Sequence, residues 1–248
     1  MKKLMMTAAI AALCATVAKA DVTSEIVGYQ AVTIKAGAYQ LYTVTFQNID
    51  DAVVDLTTIV PKAANGSTYT GNNKIRINKL ASNGNYLTTY NYRTSKGGWC
   101  KSATAIEEGD VTMADGEGIA VYNGESSDIQ LMFSGRVNLN PMSEAVAPGS
   151  YSIVGNMTPV SVDLTEIVPC DAEGVALASS NNKIRINQLE DNGNYGTTYN
   201  YRTSKGGWCK GATAISAGTV VLAAGEAMAV YNGDSIAVKL QLPPPVAE

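Results

Sequence analysis

The sequence contains no histidine among its 248 residues, and this absence removes several common kinds of active site. A Ser-His-Asp triad uses the imidazole as its general base, and most zinc sites use it as a ligand. No glycine-rich loop follows a strand and opens a helix, so the usual phosphate-binding motifs are also missing. We therefore predict a protein that is not an enzyme, has no catalytic residues, and uses no cofactor or metal.

Basic residues are fewer than acidic ones, with 18 Lys and Arg against 22 Asp and Glu, and the net charge is −4. Proteins that bind nucleic acid through its phosphates need a basic surface. The charge balance therefore argues against a nucleic-acid partner.

Long apolar runs are scarce as well, and the single one, residues 4–17, lies at the N-terminus. It follows Lys2 and Lys3 and precedes Ala18-Lys19-Ala20, which is the pattern of a secretory signal peptide. We predict cleavage before Asp21, so that residues 1–20 are the signal peptide. No later run approaches the ~18 residues that span a bilayer. The mature chain is therefore expected to be periplasmic or extracellular, with no membrane span.

The chain contains a long internal repeat. Residues 72–124, the first copy, recur as residues 181–233, the second copy, and forty of the fifty-three paired positions are identical. We interpret this as an internal duplication that produces two tandem homologous domains, residues 21–134 and 135–242. A short Pro-rich tail, residues 243–248, follows them.

The repeated segment has the pattern of a β-hairpin. Residues 74–78 alternate, with Ile75 and Ile77 predicted inward and Lys74, Arg76 and Asn78 predicted outward. The Asn-Gly pairs at 83–84 and 192–193 are typical of tight hairpin turns. Many short strands with frequent turns indicate an all-β fold, with each domain a sandwich or barrel-like unit.

One short helical turn is expected in each domain. Asp163 and Glu166 have the spacing of a capping box, and the related segment around Asp55 occupies the same place before the first copy. Pro61 ends the turn in the first segment and Pro169 ends it in the second.

Aromatic residues of the hairpin form the first candidate site. Tyrosine and tryptophan present an apolar ring with a polar tip, which suits stacking against a sugar. The same stripe is also the pattern of the core side of a sheet, and both interpretations remain open here. The residues are Tyr90, Tyr92 and Trp99 with their equivalents Tyr199, Tyr201 and Trp208.

Basic residues of the hairpins form the second candidate site. Eleven of the fifteen that remain after removal of the signal peptide lie in the two hairpin units. Such segregation favours contact with the acidic surface of another molecule of this chain or with an anionic surface glycan, although a solvated strand face has the same pattern. The contact residues would be Lys74, Arg76, Arg93, Lys183, Arg185 and Arg202.

Three cysteines remain in the predicted mature chain. Cys100 and Cys209 are equivalent and form a disulfide if their Cα atoms come within about 7 Å. A bond from Cys170 to either of them, or three buried reduced thiols, is the alternative. Among the acidic residues, Asp110, Asp115 and Glu117 lack the regular spacing of a calcium loop.

The opening Ile26-Val27-Gly28-Tyr29 and the Ala36-Gly37 turn before Tyr39 carry a resemblance to a known family. The hairpin Asn73-Lys74-Ile75 with Gly98-Trp99, and the strand Gly116-Glu117-Gly118 to Val121, extend it over most of the mature chain. These segments resemble a family of secreted, duplicated β-rich proteins of uncharacterised function from environmental Gram-negative bacteria. The resemblance implies a duplicated β fold and brings no catalytic residues.

These observations lead us to expect an exported, non-enzymatic protein that serves as a structural or interaction component at a surface or outside the cell. The alternative is a secreted carbohydrate-binding module that uses the Tyr and Trp faces of the repeated hairpin. The third possibility is an unrecognised hydrolase with a pair of carboxylates at the junction of the repeats.

Overall fold

The computed structural model describes residues 27–47, 53–114, 116–137 and 142–244. The predicted signal peptide, Asp115 and residues 245–248 of the predicted tail lie outside these ranges. We call described residues 27–137 the first half and described residues 142–244 the second half. Their regular elements are β-strands and single 3-10 turns, which confirms the all-β prediction.

The strands of the first half are β1 (Val27–Ile34), β2 (Tyr39–Thr43), β3 (Phe46–Gln47), β4 (Val53–Asp55), β5 (Val60–Ala63), β6 (Asn72–Leu80), β7 (Tyr86–Arg93), β8 (Gly98–Lys101), β9 (Thr104–Ala105), β10 (Thr112–Ala114), β11 (Gly118–Asn123) and β12 (Ile129–Val137). Those of the second half are β13 (Ser150–Gly155), β14 (Val162–Asp163), β15 (Val168–Cys170), β16 (Asn181–Leu189), β17 (Tyr195–Arg202), β18 (Gly207–Lys210), β19 (Thr213–Ala214), β20 (Val221–Leu222), β21 (Ala227–Asn232) and β22 (Lys239–Gln241).

Each half contains a six-stranded antiparallel sheet. The strand orders are β2-β11-β6-β7-β8-β9 and β13-β21-β16-β17-β18-β19, so the repeated sequence occupies corresponding positions in both. The first half adds a sheet in which β12 pairs with β1, β3 and β5, whereas the second half pairs β15 with β22. The remaining pairs are β4 with β10 and β14 with β20.

The repeated hairpin forms as its sequence predicts. Gly84 and Gly193 adopt φ values of 86° and 85° at the turns, a backbone region that glycine enters without strain. Ile75 and Ile77 are buried, as predicted. Asn78 is a correction to the predicted outward set, because it is only 5% exposed. It pairs with Ala120 on the face that the second half covers.

The predicted helical turns are single 3-10 turns. Asp55 accepts a hydrogen bond of 2.7 Å from the Thr57 backbone N–H, and Asp163 caps the equivalent turn. The second turn carries the predicted capping box with Glu166. The four turns are Leu56–Thr58, Thr94–Lys96, Leu164–Glu166 and Thr203–Lys205.

Each half has its own hydrophobic core, centred on Trp99 in the first and on Trp208 in the second. A third, smaller cluster is shared between the halves. There, β2 and β11 pack against β13 and β21 through small and branched side chains. Its buried members are Leu41, Ala120, Ile153, Ala227 and Ala229.

The predicted boundary between residues 134 and 135 falls inside β12, and the division into two domains stays a prediction. Within the described ranges, no helix is long and apolar enough to cross a bilayer.

Candidate functional site

The six predicted sugar-stacking rings belong to the two cores. Trp99 and Trp208 are 1% and 2% exposed, and their indole N–H groups donate to the carbonyl oxygens of Ile59 at 2.7 Å and Ile167 at 2.8 Å. Each indole ring is therefore buried in its core, and its N–H group has a hydrogen-bond partner inside the protein.

The tyrosines of the set share this environment. Tyr92 lies edge-on to Trp99, with ring centroids 5.2 Å apart, and Tyr201 lies edge-on to Trp208 at the same separation. Tyr199 is buried, while Tyr90 is half-buried against its core. The predicted sugar platform is thus corrected: alternate residues of β7 and β17 face inward, so these rings form core packing.

The predicted basic contact residues all have partners within their own half. Lys74 lies 3.0 Å from Glu125, and Lys183 lies 3.2 Å from Asp234. The arginines are held by rings and amides: Arg76 lies over Tyr122, Arg185 over Tyr231, Arg93 donates to Asn73 and Arg202 donates to Asn182. The lysine side chains stay about half exposed, but their charge is locally balanced.

The three cysteines are buried free thiols, and Cys100 and Cys209 form no disulfide. The halves meet at β2 and β13, whereas β8 and β18, which carry these cysteines, are each four strands away in their sheets. At ~4.8 Å per strand the separation far exceeds the reach of a disulfide. The predicted Cys100–Cys209 bond is therefore corrected to two separate buried thiols.

Acidic residues form no metal site in the part of the chain that the structure describes, where no group of three or more His, Cys, Asp or Glu is placed to hold an ion. Of the three residues considered for calcium, Asp115 lies outside the described residues. Asp110 accepts a bond from the Glu107 N–H, and Glu117 pairs with Lys79.

The junction between the halves is built by the tips of the two hairpins, residues 81–85 and 190–194. Tyr39, which begins β2, donates its backbone N–H to Asp191 of the second tip at 2.9 Å. Tyr151, which begins β13, donates to Ser82 of the first tip at 2.8 Å. Each tip therefore extends the edge of the other half's sheet, and the contact is reciprocal.

Tyrosine hydroxyls tie the two tips to each other. Tyr86 donates to the Gly193 carbonyl at 3.3 Å, and Tyr195 donates to the Gly84 carbonyl at 3.0 Å. Burial raises the pKa of Tyr86 to about 12, with smaller contributions from Tyr195 and Tyr39. These phenols therefore stay protonated and act as donors over the whole physiological pH range.

The tips fit under tyrosine rings. Tyr39 stacks on Tyr86 with ring centroids 6.0 Å apart, and Tyr151 stacks on Tyr195 at 6.2 Å. A β-carbon added at Gly193 would lie 3.0 Å from the Tyr39 ring. Glycine at the tips therefore serves the turn and the close approach of the ring together.

A groove of about 690 Å³ opens beside this junction. We call it the junction groove. Its first-half wall consists of residues 30–33 of β1 and 39–42 of β2. Its second-half wall consists of residues 188–191, 196–197, 222–224 and 226–228. Its volume is in the range of sites that bind small organic ligands.

Polar side chains with unused hydrogen-bonding groups line the groove. Among the described residues, the amide N–H groups of Gln40 and Gln188 have no partner, and neither does the Asp191 carboxylate. The Tyr42 hydroxyl donates to the Thr33 carbonyl at 3.0 Å. Burial raises the pKa of Tyr42 above its usual range, and the negative charge of Glu226 adds to the rise, which places that carboxylate beside the phenol.

The equivalent position in the first half is closed by an ion pair. Lys79 lies 2.8 Å from Glu117 and also donates to the Thr112 carbonyl at 2.8 Å. In the second half Gln188 stands where the first has Lys79, while the carboxylate remains as Glu226. Within the described residues, Glu226 Oε1 has no partner, although Oε2 accepts the Ala223 N–H as its equivalent does.

The differences between the two copies concentrate on this groove. The copies differ at thirteen of fifty-three positions, and eight of those thirteen second-copy residues line the groove, against four of the forty identical ones. The eight are Gln188, Glu190, Asp191, Gly196, Leu222, Ala224, Ala227 and Met228, and the four are Leu189, Thr197, Ala223 and Glu226.

Sequence reasoning about shared residues missed this site, because it attended to what the copies have in common. The informative signal was the set of positions at which they differ. Four of the differing positions show this. The first copy has Lys79, Ala81, Ser82 and Leu87 where the second has Gln188, Glu190, Asp191 and Gly196, in that order. These changes remove a cation, add two carboxylates and remove a large side chain from one wall.

Comparison with protein-family models, with curated proteins and with solved structures finds no match for this chain.

Proposed function

We propose that this chain is an exported, non-enzymatic protein that serves as a structural or interaction component at the cell surface or outside the cell. The N-terminal sequence supports export, because it has the basic, apolar and small-residue segments of a signal peptide. In this proposal the mature chain consists of two tandem β domains that arose by duplication.

The observation that carries the proposal is the reciprocal junction. Each hairpin tip accepts a backbone hydrogen bond and a tyrosine hydroxyl bond from the other half, and its glycine lies against a tyrosine ring of that half. Two half-sized domains on a linker would move independently, whereas this junction fixes their relative orientation. A fixed two-part body is suited to presenting surfaces at a constant spacing, as an assembly component requires.

The experiment expresses the full chain in a Gram-negative host and separates cytoplasm, periplasm, outer membrane and medium. We expect the protein outside the cytoplasm with a mass that begins at Asp21. A matched variant with Leu13→Arg in the apolar run should stay in the cytoplasm at full mass. Cytoplasmic full-length protein from both chains would contradict export.

Contact with another molecule of the chain is tested by light scattering across protein and salt concentrations. Association through the exposed lysines weakens as salt rises, because surface charges are screened beyond about 10 Å at 0.1 M. A monomer under all conditions would exclude this partner and leave other surface components.

Carbohydrate binding is the second candidate function, and the junction groove is the observation that favours it. The Tyr and Trp faces of the hairpin do not support it, since their rings lie in the cores. The groove instead offers amides, carboxylates and a phenol in an open cleft between the halves.

A further inference from the structure

We infer that the junction groove is a binding site for an oligosaccharide without acidic groups, and that the second copy has been remodelled to open it. This inference deepens the carbohydrate-binding candidate above and rests on it. Three features lead to it: the charge of the groove, the hydrogen-bonding groups without a partner there, and the location of the differences between the copies.

The charge of the groove excludes an anionic ligand. Glu190, Asp191 and Glu226 line it, and no lysine or arginine does. In the first half, Lys79 neutralises the matching carboxylate, but Gln188 cannot do so. The anionic glycan predicted to contact the basic residues therefore does not suit this groove. A neutral or amine-bearing ligand avoids repulsion from the carboxylates that line it.

The unused groups match sugar hydroxyls. A hydroxyl both donates and accepts, so neighbouring hydroxyls need donors and acceptors side by side. Gln40 and Gln188 supply free amide N–H groups, while Glu226 and Asp191 supply free carboxylate oxygens. A cationic peptide would bind the carboxylates through its ammonium groups, so its affinity would fall as salt rises.

One of the differing positions, Gly196, bears on the shape of the groove. Gly196 lines the wall where the first copy has Leu87, and a β-carbon at Gly196 would lie 2.8 Å from the Glu190 side chain. A larger residue at this position therefore pushes Glu190 and fills part of the groove. The backbone φ of Gly196 lies outside the left-handed region, so a larger residue there is not strained. Such a residue affects the groove only through the space that its side chain takes.

The test uses the mature chain, titrated by calorimetry with soluble oligomers of glucose, mannose and N-acetylglucosamine. A chitosan oligomer serves as the amine-bearing probe, an oligogalacturonate as the acidic probe and oligolysine as the cationic peptide. We expect at least one neutral or amine-bearing sugar to bind and the acidic one not to bind. For a neutral sugar the affinity should change little with salt, because no ion pair forms.

Gln188→Lys restores the first-copy residue, and its ammonium group should pair with Glu226 and close the groove. We expect affinity to fall about tenfold or more, as the loss of hydrogen bonds to a charged group implies. Lys79→Gln makes the reverse change in the first copy and should leave affinity unchanged. Circular dichroism checks that Gln188→Lys folds. If it does not fold, Gly196→Leu replaces it as the test variant and should weaken binding to the same extent.

The outcomes separate the inference from the function on which it rests. If both Gln188→Lys and Gly196→Leu still bind sugar with unchanged affinity, the groove is not the binding site, although the protein does bind carbohydrate. Binding of no sugar at all overturns both. Salt-sensitive binding of oligolysine without any sugar overturns the inference in favour of a cationic peptide.

Discussion

The phenol of Tyr195 donates a hydrogen bond of 3.0 Å to the carbonyl oxygen of Gly84, 111 residues away in the other half. Tyr86 makes the matching bond to Gly193. Because equivalent residues exchange equivalent contacts, the junction has an approximate twofold character. Each interaction at one tip is therefore accompanied by a second one, and the two stabilise the same arrangement.

Removal of a junction ring should destabilise the whole protein. Tyr151→Ala deletes the ring that stacks on Tyr195 and covers Gly84, and we expect a loss of about 2–3 kcal/mol in the free energy of unfolding. Tyr195→Phe keeps the ring and removes only the hydroxyl, so it should cost about 0.5–1.5 kcal/mol.

Urea denaturation followed by circular dichroism measures both changes. Leu87→Ala is the control, because Leu87 is 52% exposed and its truncation should change stability by less than ~0.5 kcal/mol. A Tyr151→Ala variant as stable as the control would show that the Tyr151 ring, which covers Gly84, does not hold the junction.

The thiols should be unreactive in the native protein. Cys100, Cys170 and Cys209 are buried, and burial raises the pKa of Cys170, with the nearby charge of Asp171 adding to the rise. The reactive thiolate is therefore scarce and inaccessible. Iodoacetamide at pH 8 should label no cysteine in buffer and all three in denaturant, as read by intact mass.

Peptide mapping by mass spectrometry addresses the disulfide that the sequence left open. Peptide mapping without reductant should recover Cys100 and Cys209 in separate peptides. A peptide that joins them would require the two sheet ends to meet, which contradicts the described packing.

Acid should weaken the protein through the two capping aspartates. Burial alone would raise the pKa of Asp55, but hydrogen bonds from Thr57 and from the Gly109 N–H outweigh it and hold the pKa below its usual value. Asp163 is lowered in the same way, by Thr165 and Gly218 against the effect of its burial. Because the folded pKa values are depressed, this stabilisation is present above the unfolded value of about 3.9 and is lost as pH falls through the folded value.

Asp55→Asn tests this dependence. The variant should be about 1 kcal/mol less stable than the parent at pH 7, because the asparagine amide nitrogen cannot accept the hydrogen bond that Asp55 Oδ2 accepts from the Gly109 N–H. Between pH 5 and pH 2 its stability should fall less steeply than that of the parent, as measured by urea denaturation at each pH. Parallel curves for the two proteins would assign the acid sensitivity to other groups.

Local features of this fold were predictable because they depend on neighbours in sequence. The alternation around Ile75, the Asn-Gly turn at Gly84 and the capping box from Asp163 to Glu166 each act over a few residues, and each is found. Asn78 shows the limit of such reasoning. Its alternation places it on the outer face, but the second half covers that face, which local pattern does not encode.

The site depends on contacts between distant parts of the chain and was not predictable in the same way. Pattern alone leaves a stripe of rings such as Tyr92 and Trp99 equally consistent with a core and with a sugar platform, and packing against Ile59 decides the matter. The junction groove forms only when β2 meets the second hairpin tip, a pairing separated by about 150 residues. The sequence shows that Gln188 replaces Lys79, but only the structure shows that Lys79 pairs with Glu117 and that this ion pair is lost in the second copy.

The two tryptophans allow each half to be observed separately, since Trp99 lies in the first core and Trp208 in the second. Trp208→Phe leaves fluorescence from the first half, and Trp99→Phe leaves fluorescence from the second. Urea denaturation of each variant is followed by tryptophan emission and by circular dichroism of the whole chain. If the reciprocal junction makes the halves one cooperative unit, the two signals coincide within each variant. A fluorescence transition displaced from the circular dichroism transition in either variant would contradict a fixed junction between the halves.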